Sequence, residues 1–194
     1  LLDANGANTT AAAAVRAAAR QLDLSRTKAL VLGGTGPVGQ RVARLLAGEG
    51  ADVSVGSRQQ TKAAAVCETI SQKIPHAKLR PVAAGTPEEV KKVIGGQSLV
   101  IAAGAAGVVL LPRTILTNSP DVRVAIDLNA VPPLGIEGLE VTDKAVERDK
   151  VICYGAIGVG DTKMKVHKAA IARLFESNDQ IMDAEEVYKL AEQF

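Results

Sequence analysis

The stretch Gly34-Thr35-Gly36-Pro37-Val38-Gly39 has the spacing G-x-G-x-x-G, between the apolar run ALVL and the helix-like segment QRVARLLAGEG. In that context the first glycine allows a tight turn and the second lets a pyrophosphate approach the backbone. The third lets helix and strand pack closely. Free N–H groups at the positive end of the helix would receive the phosphates. The pattern predicts a dinucleotide site, and the alternative is a turn that binds nothing.

The end of the following strand indicates which dinucleotide would bind. NAD sites usually place Asp or Glu there to hold the ribose 2′-hydroxyl, but this chain has Ser57 and Arg58 and no acid. A guanidinium binds a 2′-phosphate through charge-assisted hydrogen bonds, and Ser57 and Lys62 could add contacts. We therefore predict NADP as the cofactor. The alternative is that Arg58 is a solvated side chain at a strand end.

Two later strand ends also carry residues of interest. The small residues Ala103 and Gly104 follow an apolar strand, where they would either let the cofactor cross the sheet edge or serve close packing. Asp127 and Asn129 come at the end of the next strand, before a double proline. Both alternate with core residues, so they face the cleft or cap a turn, and Asn129 is a candidate cofactor contact.

Lys163 and His167 lie one helical turn apart near the C-terminus. Helical spacing places them beside an apolar stripe that we predict to be buried, whereas Lys165 points away. A surface lysine and a structural histidine are the alternatives to functional roles. The stripe consists of Met164, Ile171, Leu174 and Phe175.

Strand-like and helix-like segments alternate along the chain at the short spacing that parallel strands with crossover helices need. The pattern predicts an α/β fold, a doubly wound Rossmann-type parallel sheet with helices on both faces. Pro81 suggests that the third strand lies near an edge. The predicted strands are 28–34, 51–58, 79–85, 98–104, 122–130 and 150–155; the predicted helices are 8–22 (capped by Asn8 or Thr9), 37–50, 59–74, 86–96, 161–178 and 183–194.

Composition argues against several classes of function. A net charge of +2 and only 2% aromatic residues provide neither a basic stripe nor stacking platforms for nucleic acid. No apolar run approaches the roughly 18 residues of a membrane span. Cys67 and Cys153 form no disulfide framework, which favours a cytoplasmic protein, and His76 and His167 belong to no metal-ligand pattern.

Several segments together give the chain a specific resemblance. It resembles the NADP-dependent methylenetetrahydromethanopterin dehydrogenases of methylotrophic bacteria over essentially its whole length. That resemblance implies three parts: residues 1–25 join a mostly absent N-terminal substrate domain, residues 26–160 bind NADP, and residues 161–194 form closing helices. The matching segments are DANGANTTAA, GGTGPVG, LLAGEGA, DLNAVPPLGIEG, GAIGVGDTKMKVHKA, LFES and DAEEVYKLA.

The family oxidises the methylene bridge of a reduced pterin carrier to the methenyl form and passes hydride to NADP⁺; some members also accept methylenetetrahydrofolate. The resemblance implies that Lys163 contacts the pterin, with His167 nearby, and that Asn5, Asn8 and Thr9 are available beside the cleft. We expect a homo-oligomer that needs no metal, nucleic acid or membrane. The alternative function is a module that senses NADP(H) without turnover.

Overall fold

The computed structural model describes residues 6–177 and 179–194, and in them seven strands form one sheet in the order β3-β2-β1-β4-β5-β7-β6. The pairings from β3 through β7 are parallel, and β6 is the antiparallel edge. The strands are β1 (Lys28–Leu32), β2 (Asp52–Ser57), β3 (Lys78–Ala83), β4 (Leu99–Ala102), β5 (Val124–Asp127), β6 (Lys144–Arg148) and β7 (Val151–Tyr154).

The chain order reverses at β1, whose neighbours are β2 on one side and β4 on the other. Strand order that reverses in this way marks the switch point of a doubly wound sheet, where loops diverge and leave a crevice at the carboxyl ends of the strands. The predicted fold class is confirmed, and β3, which contains Pro81, is an edge strand as expected.

Seven α-helices connect and cover the strands of the described chain. The connection from β1 to β2 begins with Pro37 in the first helical turn, as the sequence predicted. The helix after β3 is held by a capping box between Thr86 and Glu89. The helices are α1 (Ala7–Ala19), α2 (Pro37–Gly48), α3 (Gln60–Lys73), α4 (Pro87–Val93), α5 (Arg113–Thr117), α6 (Ala156–Leu174) and α7 (Ala184–Ala191).

Alternate residues of the central strands enter two separate cores. In β1, Ala29 and Val31 pack with α1, α2, α3, α6 and α7 on one face, and Leu30 and Leu32 pack with α4 and α5 on the other. Because the inner strands are buried on both faces, they appear in the sequence as continuous apolar runs. α1 is buried almost all round, and its alanines let the neighbouring helices approach closely.

The predicted cap of α1 and the predicted start of α6 are wrong, and two elements were not predicted. The cap of α1 is Gly6 (φ 72°), and the hydroxyls of Thr9 and Thr10 donate to its carbonyl, so neither Asn8 nor Thr9 caps the helix. The predicted start of α6 at residue 161 is too late, since the helix begins at Ala156. β6 and α5 were missed.

The apolar stripe predicted to be buried on α6 is instead mostly exposed. Met164 is 50% exposed, Ile171 39% and Phe175 87%, whereas Leu174 is partly buried. The face of α6 that packs against the protein lies elsewhere around the helix and consists of small or β-branched residues. These are Gly158, Val159, Thr162, Val166 and Ala170.

Candidate functional site

The loop from β1 to α2 is shaped by glycines that have no room for a side chain. Gly33 adopts a left-handed conformation (φ 70°), and a Cβ there would lie 2.7 Å from Gly104 Cα. A Cβ on Gly34 would lie 2.7 Å from Val55 Cγ1, and one on Gly39 would collide with the Gly33 carbonyl. The left-handed residue of the turn is therefore Gly33, one position before the G-x-G-x-x-G pattern.

Gly36 differs from its neighbours because a Cβ there would overlap no other atom. A Cβ there would have its nearest contacts at 3.4 Å (Gly33 O) and 3.6 Å (Ala103 O), which is ordinary packing. Gly36 lines a depression of about 370 Å³ at the carboxyl ends of β1, β2 and β4. The other lining residues are Gly33, Thr35, Pro37, Ser57, Arg58, Ala84, Ala103, Gly104, Ala105, Val108 and Leu110.

A second depression of about 370 Å³ adjoins the first at the end of β2, and it is lined by Thr35, Ser57, Arg58, Gln59 and Lys62. Ser57 is buried, its Oγ lies 3.5 Å from Thr35 Oγ1, and it accepts a hydrogen bond from the Gln59 N–H. Arg58 and Lys62 are exposed. Two cations beside hydroxyl and amide groups can bind a doubly charged phosphate.

On the other side of the β1–β4 switch point lies a crevice of about 510 Å³ between α6 and the loops after β1, β4 and β5. Ala103 and Gly104 line both this crevice and the glycine-loop depression, which makes the two spaces neighbours across the sheet edge. The remaining lining residues are Thr10, Val38, Leu128, Ala130, Ala156, Ile157, Val159, Gly160, Asp161, Lys163 and Met164.

The loop after β5 forms one rim of the crevice and is held by two buried polar side chains. Asp127 accepts hydrogen bonds from the N–H groups of Asn129 (3.0 Å) and Ile136 (2.8 Å). Burial raises the pKa of Asp127, although those N–H groups and that of Gly135 act in the opposite direction. The Asn129 side chain accepts from Val131 N and donates to Pro133 O, so its amide is used within the loop.

Lys163 reaches the crevice from α6 and lies over the start of α1. A Cβ built on Gly6 would be 3.6 Å from Lys163 Nζ, and Thr10 also lines this corner. Asp161 lies nearby but pairs with Lys144 at 2.8 Å, and that hydrogen bond and charge lower the pKa of Asp161. Lys165 is exposed and does not appear in the crevice wall.

Asn8, Thr9 and His167, the other predicted substrate residues that the structure describes, do not line the crevice, although Thr9 Oγ1 lies as close to the Gly6 Cβ position (3.6 Å) as Lys163 Nζ does. Asn8 is buried; its Nδ2 donates to Met182 O and its Oδ1 accepts from Arg41 Nε. Thr9 is buried and donates to Gly6 O. His167 is one turn beyond Lys163, outside the residues that line the crevice. Asn5 lies outside the described residues.

Comparison with known proteins identifies two relatives in Methylorubrum extorquens. The chain is 43% identical over 197 residues to the bifunctional protein MdtA, covering 100% of the chain and 67% of that relative. It is 31% identical over 199 residues to an NAD(P)-dependent methylenetetrahydromethanopterin dehydrogenase, covering 97% of the chain and 67% of that relative. No family model matches the chain.

The chain belongs to this methylotroph dehydrogenase family. As a member of it, the protein is an NAD(P)-dependent oxidoreductase. The chain spans about two thirds of the length of each of these relatives.

Solved structures of other dehydrogenases share the fold of this family member. A transhydrogenase from Sinorhizobium meliloti superposes with a TM-score of 0.62 at 23% identity, covering 79% of this chain and 47% of that one. Quinate dehydrogenase from Corynebacterium glutamicum in complex with NAD gives 0.60 at 18% identity, covering 96% and 62%. These likenesses support the Rossmann-type architecture alone.

Within residues 6–177 and 179–194, no group of three or more His, Cys, Asp or Glu side chains could hold a metal ion. In the same ranges no helix is both long and apolar enough to cross a bilayer. Cys67 and Cys153 are free and buried, and burial raises the pKa of both thiols.

Sequence reasoning missed Gly33 in the glycine-loop depression and most of the residues that line the crevice, among them Thr10 and Gly160. Gly33 could have been suspected from the double glycine, because either glycine can take the left-handed turn position. Thr10 lies on α1 and Gly160 on α6, which pack together, and a single sequence carries no signal for where these two helices lie.

Proposed function

We propose that the chain carries the cofactor site of an NADP-dependent dehydrogenase that oxidises methylenetetrahydromethanopterin, or methylenetetrahydrofolate, to the methenyl form. The observation that carries the proposal is the adjacency of three spaces. The cationic depression at Ser57 and Arg58 adjoins the glycine-loop depression, which shares Ala103 and Gly104 with the apolar crevice. An extended dinucleotide with a 2′-phosphate fits that order of chemical environments.

The fit to the cofactor rests on the groups that line each space. Arg58 and Lys62 would hold the 2′-phosphate, and the backbone around Gly36 would hold the diphosphate because a missing Cβ leaves it accessible. Val38, Leu128 and Ala130 would give the nicotinamide an apolar surface. Bound there, the nicotinamide would serve as the hydride acceptor.

The reaction places few demands on acid–base groups. The C–H bond of the methylene carbon breaks and both electrons leave with the hydrogen, while lone pairs on the two flanking nitrogens stabilise the resulting cation. No proton has to be moved, so the task of the side chains is to align the two reacting carbons and exclude water. The apolar crevice with a single lysine, Lys163, suits that task, and the ammonium would hydrogen-bond the carbonyl and ring nitrogens of the pterin.

The test is turnover by the full-length protein. With NADP⁺ and the methylene carrier, we expect the near-ultraviolet absorbance of NADPH to grow, and methylenetetrahydrofolate should be assayed beside methylenetetrahydromethanopterin. NADPH binding without turnover of either carrier would reject the dehydrogenase and favour a sensing module.

The substrate role of Lys163 can be separated from cofactor binding. Because a displacement of about 1 Å can cost on the order of a hundredfold in rate, Lys163→Ala should lose most of kcat/KM for the methylene carrier. NADP affinity should be retained. The exposed neighbour provides the control: Lys165→Ala should be near neutral. Wild-type kcat/KM in Lys163→Ala would remove Lys163 from the site.

A further inference from the structure

Gly160 lies in the interior of α6, where glycine weakens a helix relative to alanine. Two other glycines near the start of α6 have a packing reason. A Cβ on Gly155 would collide with Glu140 O, and one on Gly158 would collide with Asp143 O. Among the residues that the structure describes, a Cβ on Gly160 would meet nothing within 4 Å. That part of the chain therefore leaves room for a side chain at Gly160, and its packing does not explain why none is present.

The space beside Gly160 is the crevice. Ala156, Gly160, Lys163 and Met164 share one face of α6, at spacings of three and four residues, and all four line the crevice wall. Ile157 is 55% exposed and Met164 50% exposed at the rim of the same wall. A side chain at position 160 would project between them into the crevice.

The order of the three spaces indicates which part of a dinucleotide would meet this wall. Ala103 and Gly104 line both the glycine-loop depression and the crevice, so a dinucleotide whose diphosphate lies at Gly36 continues past them. The group attached beyond the diphosphate is the nicotinamide ribose and its flat ring. Glycine has no Cβ, so the backbone at Gly160 on α6 and at Gly104 after β4 lets a ligand approach closely. A flat ring that lies between these two segments requires such close approach.

We propose that Gly160 determines whether the nicotinamide half of the cofactor can enter the crevice: the missing side chain leaves the space that the ring and its ribose occupy against α6. The inference rests on the proposed dinucleotide function. It predicts that a side chain at position 160 weakens binding of the nicotinamide half of the cofactor and leaves binding of the adenosine half unchanged.

The experiment compares two ligands on Gly160→Leu in the full-length protein. NADPH carries the nicotinamide and its ribose, and 2′-phospho-ADP has the same adenosine half and diphosphate without either. We expect Gly160→Leu to weaken NADPH binding by about tenfold or more, because an extra side chain in an occupied space is costly. Binding of 2′-phospho-ADP should stay within about twofold of wild type, because its phosphates would lie in the two depressions at Arg58 and Gly36 and no part of it would reach the crevice.

The matched control is Gly48→Leu. Gly48 is also a helical glycine, at the end of α2, and a Cβ there would make only an ordinary contact at 3.9 Å with Ile74 Cδ1. This variant should bind both ligands as wild type does. Gly160→Ala checks folding: it should raise Tm by about 2–4 °C, because alanine favours a helix over glycine.

Unchanged NADPH affinity in Gly160→Leu, or equal loss of both ligands, would overturn the inference. The comparison of the two ligands measures binding and does not depend on turnover. If the protein binds NADPH but oxidises no methylene carrier, the proposed reaction is refuted, and the binding comparison still tests the role of Gly160. If NAD rather than NADP binds, NADH and ADP replace the two ligands. Failure of both dinucleotides to bind would overturn this inference together with the proposed function.

Discussion

Three polar residues at the end of β2 and the start of α3 line the depression proposed to bind the cofactor's 2′-phosphate. Ser57 is buried, and its hydroxyl fixes the turn through Gln59 N. Arg58 and Lys62 are exposed and line the same depression. A carboxylate at either exposed position would repel a 2′-phosphate. The charge of the pocket therefore depends on single side chains that the fold does not need.

Replacing Arg58 should change cofactor preference without changing stability. We expect Arg58→Ala to weaken NADP binding by about 1.5–3 kcal/mol, the scale of a hydrogen bond to a charged group, and to leave NAD binding almost unaffected. Titration with both cofactors measures the difference. Arg80→Ala, at an exposed arginine of β3 outside the depression, should bind both as wild type does. Equal losses for NADP and NAD would refute the assignment.

Among elements, the loop from β1 to α2 combines two requirements. Its ends must bring α2 against the sheet, which leaves Gly39 no space beside the Gly33 carbonyl. Its middle must leave Gly36 accessible from the depression, where a Cβ meets nothing closer than 3.4 Å. We therefore expect a side chain at Gly36 to impair ligand binding and a side chain at Gly39 to impair folding.

Gly36→Val should give a folded protein that no longer binds the dinucleotide, because the new side chain points into the depression that lies along the pyrophosphate path. Gly39→Val is the comparison, and it should be strongly destabilised because its side chain overlaps backbone. Circular dichroism with temperature reports folding, and titration with NADPH reports binding. Wild-type affinity in Gly36→Val would show that the loop is a turn without a ligand.

Over the whole molecule, the sequence predicted the parts whose signal is local. Inner strands such as β4, with all four residues buried, are visible as apolar runs, and Pro37 and Thr86 mark the starts of helices. β6 was missed because Lys144–Arg148 is mostly exposed and charged and therefore forms no apolar run. Such a strand is possible at the edge of the sheet, where β6 has β7 as its one partner.

The residues of the candidate site also differ in how well the sequence alone predicts them. The glycine loop and Arg58 stand out in the sequence because their chemistry is carried by adjacent residues. Thr10 lies on α1 and Gly160 on α6, and where these two helices lie follows from the complete fold. The burial of the α6 stripe was predicted wrongly for a related reason. Periodicity shows that apolar residues share one face of a helix, but it does not show whether the protein packs against that face. Phe175 belongs to the stripe and is 87% exposed.

An ion pair between Asp143 and Arg148 holds the start of β6, beside the backbone that leads into α6. Asp143 is buried and accepts hydrogen bonds from Arg148 Nε (2.8 Å) and NH2 (2.7 Å) and from Glu140 N (2.8 Å). Its own carbonyl accepts from Gly155 N, directly before α6. Burial alone would raise the pKa of Asp143, but the hydrogen bonds from Arg148 and Glu140 outweigh it and hold the pKa below its usual value.

This pair should make global stability depend on acid pH. Because the folded pKa of Asp143 is lower than the unfolded one, its contribution is complete above the unfolded pKa of about 4 and is lost as pH falls through the folded value. We expect Asp143→Asn to lower the free energy of unfolding at pH 7 by about 1–3 kcal/mol, since the charged hydrogen bonds with Arg148 are lost. Urea denaturation measured from about pH 7 down to about pH 2 should therefore show the wild-type and variant curves converging below about pH 4. Curves that stay parallel through that range would mean that Asp143 does not link protonation to folding.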